Sequence, residues 1–134
     1  MEDNPFAQLV AMARQQAAPQ RLLFVFAGAE LPDDASPEQR ARFERGEGGA
    51  LVPLMTVDKA SDELRSYEAL VAEADAMHPG WTFVFIAALG GRGAQAPSSA
   101  DVERALQRME DGIKQGTVGG WLVLDRDGQP VQLQ

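Results

Sequence analysis

The chain has no cysteine and a single histidine among 134 residues, and these two scarcities close off several chemistries at once. Without thiols there are no disulfides, no thiolate metal sites and no thiol redox or thiyl-radical chemistry. With His78 as the only imidazole, a zinc site would rest almost entirely on carboxylates, which zinc rarely accepts. His78 stands in a Met77-His78-Pro79-Gly80 turn, and no serine occupies a Gly-x-Ser-x-Gly elbow, so Ser-His-Asp and Cys-His machinery is missing. Positive charge is short as well. Twelve basic residues against 20 acidic ones leave a net charge of −8, whose average field repels a phosphate backbone and makes nucleic acid a poor partner. Long apolar runs are also lacking: the longest are strand-sized, and MEDNPFAQLV opens with two acids where a secretory signal needs bases. Neither export by that route nor a membrane span is expected, and the lack of cysteine points to the cytoplasm.

What is present reads as an ordinary globule. Hydrophobic residues at 45% and charged residues at 24% exclude a disordered or low-complexity chain. The length corresponds to one domain, residues 1–134, able to bury about two thirds of its extended surface. Asn4-Pro5 is an N-cap followed by proline at the first helical position, and Phe6, Leu9, Val10 and Ala13 share one face of a helix over 5–17. Arg21 to Ala27 is a short continuous apolar run ended by Gly28, the mark of a strand covered on both faces. Ser36-Pro37-Glu38-Gln39 is a capping box that starts a short helix, with Gly46 as its stop and Gly48-Gly49 as a turn. Ala50 to Val57 is strand-like, but Pro53 cannot donate to a ladder, which demands an edge position or a bulge.

Ser61 with Asp62 and Glu63 favours a helix start, and Leu64, Tyr67, Leu70, Val71, Ala74 and Met77 form its apolar stripe. Trp81 to Ala88 is the most apolar segment and belongs in the middle of the sheet. A Gly90-Gly91-Arg92-Gly93 loop leads to Ser98 and Ser99, either of which caps a helix carrying Val102, Leu106, Met109 and Ile113 and ending at Gly116. Trp121 to Leu133, around Asp125-Arg126-Asp127-Gly128, reads as a β-hairpin. The expected fold is therefore α/β: a single domain with a central mixed sheet of four to five strands, the strands at 21–27 and 81–88 inside, helices on both faces and a C-terminal β-hairpin.

Residues able to carry chemistry are few. No catalytic constellation is visible. The GGRG loop before a capped helix offers backbone N–H groups and the Arg92 charge to an anion, yet it lacks the lysine and hydroxyl of a P-loop. Asp58 and Lys59, at the end of the second strand, sit where open α/β sheets place ligand contacts, and with Gly91, Arg92 and Gly93 they form a candidate ligand site. The competing reading makes the loop a connection and Asp58 a turn-ordering residue. Between Gly28 and Gly80 twelve acidic and five basic residues give a net −7; Asp33, Asp34, Glu44 and Glu47 lack calcium-loop spacing and read as a solvated face or a surface for a basic partner. Asp125 and Asp127 read as turn residues, because the glutamate that completes a calcium loop is missing. Trp121 and Val131, on the hairpin, are the candidate interface residues: a sheet edge offers unpaired backbone groups, and a tryptophan anchors.

The segments PQRLLFVFAGAELPDD, GEGGALVPLMTVDK and GGWLVLDRDGQPVQL resemble short bacterial proteins labelled ribonucleotide reductase subunit alpha, over most of the chain. Taken literally, that label implies thiyl-radical reduction of ribonucleotides in a barrel several times this size. A cysteine-free chain of this length cannot perform it, so the resemblance transfers no catalytic residue. The order of a strand, a VPL strand, a helix and a terminal strand ending in LVLDRDG is also similar to the serine-sensitivity enhancer family of α/β interaction domains. The expected function is a cytoplasmic, non-enzymatic interaction module with a protein partner or a second copy of itself, without cofactor or metal. The alternatives are a small-ligand or anion-binding protein, for nucleotide or phosphate, and an accessory protein of nucleotide metabolism.

Overall fold

A computed structural model describes residues 4–31, 33–45 and 50–132 of the chain. The elements run α1 (Pro5–Arg14), β1 (Gln20–Glu30), α2 (Pro37–Glu44), β2 (Ala50–Ala60), a 3-10 turn (Ser61–Glu63), α3 (Tyr67–Met77), β3 (Phe83–Gly90), α4 (Ser99–Gln115) and β4 (Leu122–Asp125). Four strands form one sheet in the order β2-β1-β3-β4. The two most apolar segments are its inner strands. Leu22, Phe24, Phe26, Val84 and Ile86 face one way, where α1 and α3 cover them with Phe6, Val10, Tyr67, Leu70 and Ala74. Leu23, Val25, Ala27 and Phe85 face the other way, under Val102, Ala105, Met109 and Ile113 of α4. Burial of each such side chain contributes roughly 1.5–3 kcal/mol, so both faces of β1 are essential to the fold.

The α/β class and the helices on both faces hold, but the sheet is antiparallel in every pairing and not mixed. A parallel β1–β2 step would need a connecting helix to cross over and cover the sheet. The helix available there, α2, has no buried residue and cannot serve as a layer. Since β2 and β3 both run against β1, they are parallel to each other across it, joined by α3 as a split βαβ unit. Pro53 lies both on an edge strand and at a bulge: the register passes from Phe26↔Met55 to Ala27↔Pro53, leaving Leu54 as the extra residue.

The capping signals other than the one at Ser61 fold as read. Asn4 Oδ1 accepts the Ala7 N–H, Ser36 and Gln39 close a reciprocal capping box, Ser98 Oγ accepts the Asp101 N–H, and Gly116 ends α4 with φ +81. The stops at Gly46 and at Gly48-Gly49 lie outside the described residues. Two helix boundaries differ from expectation. The first helix ends at Arg14 and not at 17. The helix expected from Ser61 begins at Tyr67, capped by Ser66, because Glu63 bends back to accept the Ala60 N–H while the Arg14 guanidinium takes the Ser61 and Leu64 carbonyls. Met77 leaves the apolar stripe and is 56% exposed. The expected hairpin is reduced to β4 and a turn, whose return arm touches β4 through an isolated Leu124↔Pro130 bridge; Leu133 is outside the described residues.

That turn is clamped onto α3. The Tyr67 hydroxyl donates to the Asp125 carbonyl at 2.6 Å, and Gly128, at φ +84, leaves the space its ring occupies. Burial, reinforced by the Asp125 charge, pushes the Tyr67 phenol well above its ordinary 10.0. Unfolded chains release this proton from about pH 10 while folded ones keep it, so folding stability must fall as pH rises past that point. We expect the tyrosinate absorbance of this sole tyrosine to emerge together with unfolding, and Tyr67→Phe to flatten the alkaline decline while costing about 0.5–1.5 kcal/mol at neutral pH in urea titrations. Tyrosinate forming in a fully folded protein would refute the clamp.

Candidate functional site

The antiparallel sheet gathers the start of β1, the end of β2 and the end of β3 at one end, next to the N-terminus of α4. The residues expected to form a ligand site lie around this end, yet the fold separates them. Leu22 pairs with Lys59 and Leu23 with Asp58, so alternation sends the two neighbours to opposite faces. Asp58 lies on the α4 face, held by Arg21 Nε at 2.7 Å, in a cleft of about 280 Å³ with Pro97, Ser99, Val102 and Glu103. Lys59 lies on the α3 face, paired with Glu73 at 2.9 Å. Both lie within β2 and not beyond it, and the rule placing ligands past the carboxyl ends of strands belongs to parallel sheets.

The glycine loop is a compact connection. Arg92 and Gln95 exchange backbone hydrogen bonds of 2.9 and 2.8 Å around Gly93, whose φ is +55. Gly91 donates to the Pro19 carbonyl, and a Cβ there would overlap the Gln95 carbonyl. Arg92 is exposed beside a second cleft that also contains Gln95, Ser98 and Asp101. The α4 N-terminus already has its counter-charge: hydrogen bonds from the Ser98 hydroxyl and backbone hold the Asp101 carboxyl below the usual range, and Arg104 pairs with it. An anion entering this cleft meets a carboxylate. Inorganic phosphate and ATP at millimolar concentration are therefore expected to leave the melting temperature unchanged; a rise that Arg92→Ala abolishes would reinstate the anion site.

Among the described residues no three His, Asp or Glu side chains converge as a metal site; Glu47 is not among them. His78 is exposed at the end of α3. Asp125 Oδ1 accepts the Asp127 and Gln129 N–H groups, as a turn residue does. A polar cluster invisible to sequence spacing lies nearby. Arg126 Nη2 donates to both Asp75 carboxylate oxygens at 2.8 and 2.7 Å, its Nη1 donates to the Trp81 carbonyl, and its guanidinium stands 4.5 Å over the Trp81 ring. Trp81 Nε1 completes the set on Asp75 at 3.0 Å, and the Arg126 hydrogen bonds, above all, hold the Asp75 carboxyl below its usual range. Arg126 and Trp81 thus converge on the one Asp75 carboxylate, which makes the cluster a brace between α3 and the terminal turn. The one available signal was the buried Trp81, whose indole N–H requires a partner.

Trp121 and Val131 close a sheet edge and do not open one. Trp121 is half-buried, edge-on to Phe85 with centroids 6.5 Å apart. The Val131 N–H donates to the Val123 carbonyl and the Asp125 N–H to Gln129, so the chain's own return arm occupies the outer side of β4. Trp121 also lies against α4 at Gly112, where a Cβ would come within 2.5 Å of its Cη2. Gly112→Ala should therefore destabilise by about 1–3 kcal/mol, although alanine is the better helix former. In a Trp121→Ala background the same change should become neutral or stabilising; equal costs in both backgrounds, measured by urea unfolding, would refute the contact.

The opposite edge is different. β2 is the last strand of the sheet, eleven residues long, and has no charged residue from Ala50 to Val57. Leu51, Val52, Pro53, Leu54, Met55 and Val57 are all half-buried. Its two charges, Asp58 and Lys59, are neutralised within the fold. Natural edges are normally blunted with charge or covered, and among the described residues this one has only Pro53 and the bulge. Comparison of the chain with family models, with curated proteins and with solved structures finds no match. No helix among the described residues is long and apolar enough to cross a membrane.

Proposed function

We propose that the protein is a non-enzymatic interaction module of the cytoplasm, with β2 as its docking edge. The observation that carries this reading is the contrast between the two sheet margins: β4 is closed by residues 129–131, whereas β2 offers a long, half-covered edge that is uncharged from Ala50 to Val57. An extended partner strand gains main-chain hydrogen bonds there and rests apolar side chains beside Val52, Leu54 and Met55. The absence of cysteine supports a reducing compartment. The clefts add no competing chemistry, since each charged group in them named above, Arg92 and Glu103 apart, is paired or already serves a helix end.

The reading is tested by the partners recovered from native cells with the tagged wild type and with Thr56→Lys, a change at an exposed β2 position that places charge on the edge. We expect the variant to keep its circular dichroism spectrum and to lose at least one protein that the wild type recovers. An identical partner set from a folded variant would remove β2 as the docking edge.

A further inference from the structure

The bulge gives β2 a property that a regular strand lacks. Register places Leu51, Pro53, Thr56 and Asp58 on the α4 face, opposite Ala29, Ala27, Val25 and Leu23. It places Val52, Val57 and Lys59 on the α1/α3 face, where Leu54 and Met55 both pack as well. The extra residue inverts the odd-even rule at Leu54, so the face pattern reads the same from either end about the Leu54–Met55 bond.

Resting on the reading of β2 as a docking edge, we propose that its partner is a second copy of this chain, paired antiparallel through β2 about a two-fold axis normal to the sheet. Such an axis keeps each face of the sheet on its own side, and residues directly opposite one another must share a face. The face pattern of β2 meets that condition from Ala50 to Lys59. Leu54 then opposes the partner's Met55, Val52 opposes the partner's Val57, and Pro53 opposes the partner's Thr56. A one-residue slip would set apolar residues of one copy against residues on the wrong face of the other, so the register is specified.

Charge fits the same arrangement. Asp58 opposes the partner's Leu51 and Lys59 opposes the partner's Ala50, so no like charges meet directly. The neutral stretch Ala50–Val57 lets two chains of net charge −8 approach along their least charged margin. Eight strands then form one continuous antiparallel sheet, closed by symmetry, with the covered β4 edges outermost and no open edge left for further growth.

The lack of native cysteine permits a direct test with the full chain. In Pro53→Cys/Thr56→Cys the paired positions lie at cross-strand distance, within disulfide reach. In either single variant the two cysteines of a dimer are about 10 Å apart along the strands and cannot join. The inference expects wild-type protein to show twice the chain mass by light scattering, and the double variant, oxidised, to run as a covalent dimer where neither single variant does. A monomer mass at every concentration, or a dimer without the 53–56 cross-link, would overturn it. Neither result would touch the broader reading of β2 as a docking edge, which stands or falls on the partners lost from Thr56→Lys.

Discussion

The structure depends on the burial of β1 on both faces. A strand in which seven consecutive residues from Leu22 to Gly28 are buried cannot lie on a one-sided sheet, because each face would expose several large apolar groups. Helices α1 and α3 answer this demand on one side and α4 on the other. The same demand sets β3, whose centre Val84–Ile86 is also fully buried, beside β1 in the interior of the sheet. The margins are then left to the two least apolar strands, and the differences between those margins set what the surface can do.

The margins are finished in opposite ways. At β4 the terminal turn folds back, fixed by Tyr67 to the Asp125 carbonyl and by Arg126 between Asp75 and Trp81. These contacts join residues 58 and 51 positions apart in the chain, so one small turn ties α3, the entry to β3 and the end of the sheet together. Asp75 contributes most when ionised; because its folded pKa is depressed, that contribution is lost as pH falls through the folded value. Among the described residues β2 has no comparable brace. Arg21–Asp58 and Lys59–Glu73 secure only the far end of the strand, one on each face, and are exposed enough that each contributes little.

Much of this was legible in the sequence, and the parts that were not share a cause. The continuous apolar runs at 21–27 and 81–88 marked the inner strands, Pro53 announced an edge position or a bulge, and Ser36, Ser98, Gly116 and Gly128 punctuated the chain where local geometry required it. Those signals are local, and local physics decides them. The sheet's direction was not legible, because it depends on whether α2 can cover a sheet, and eight residues with no buried side chain cannot. Nor was the clamp, since nothing near Tyr67 names Asp125 and nothing near Asp75 names Arg126. The division of Asp58 from Lys59 was within reach: adjacent residues of a strand point to opposite faces, and that rule alone separates them.

The account turns on β2 being an open edge that a second β2 completes, and amide hydrogen exchange followed over a range of protein concentrations reads this most directly. The slowest amides should be those of β1 at every concentration, because opening them requires losing both cores. The amides between Ala50 and Lys59 that point away from β1 should exchange quickly in dilute protein and become protected as concentration rises, while those of β4 stay constant. Protection of β2 that does not change with concentration, or a concentration-dependent change at β4 in its place, would contradict the account.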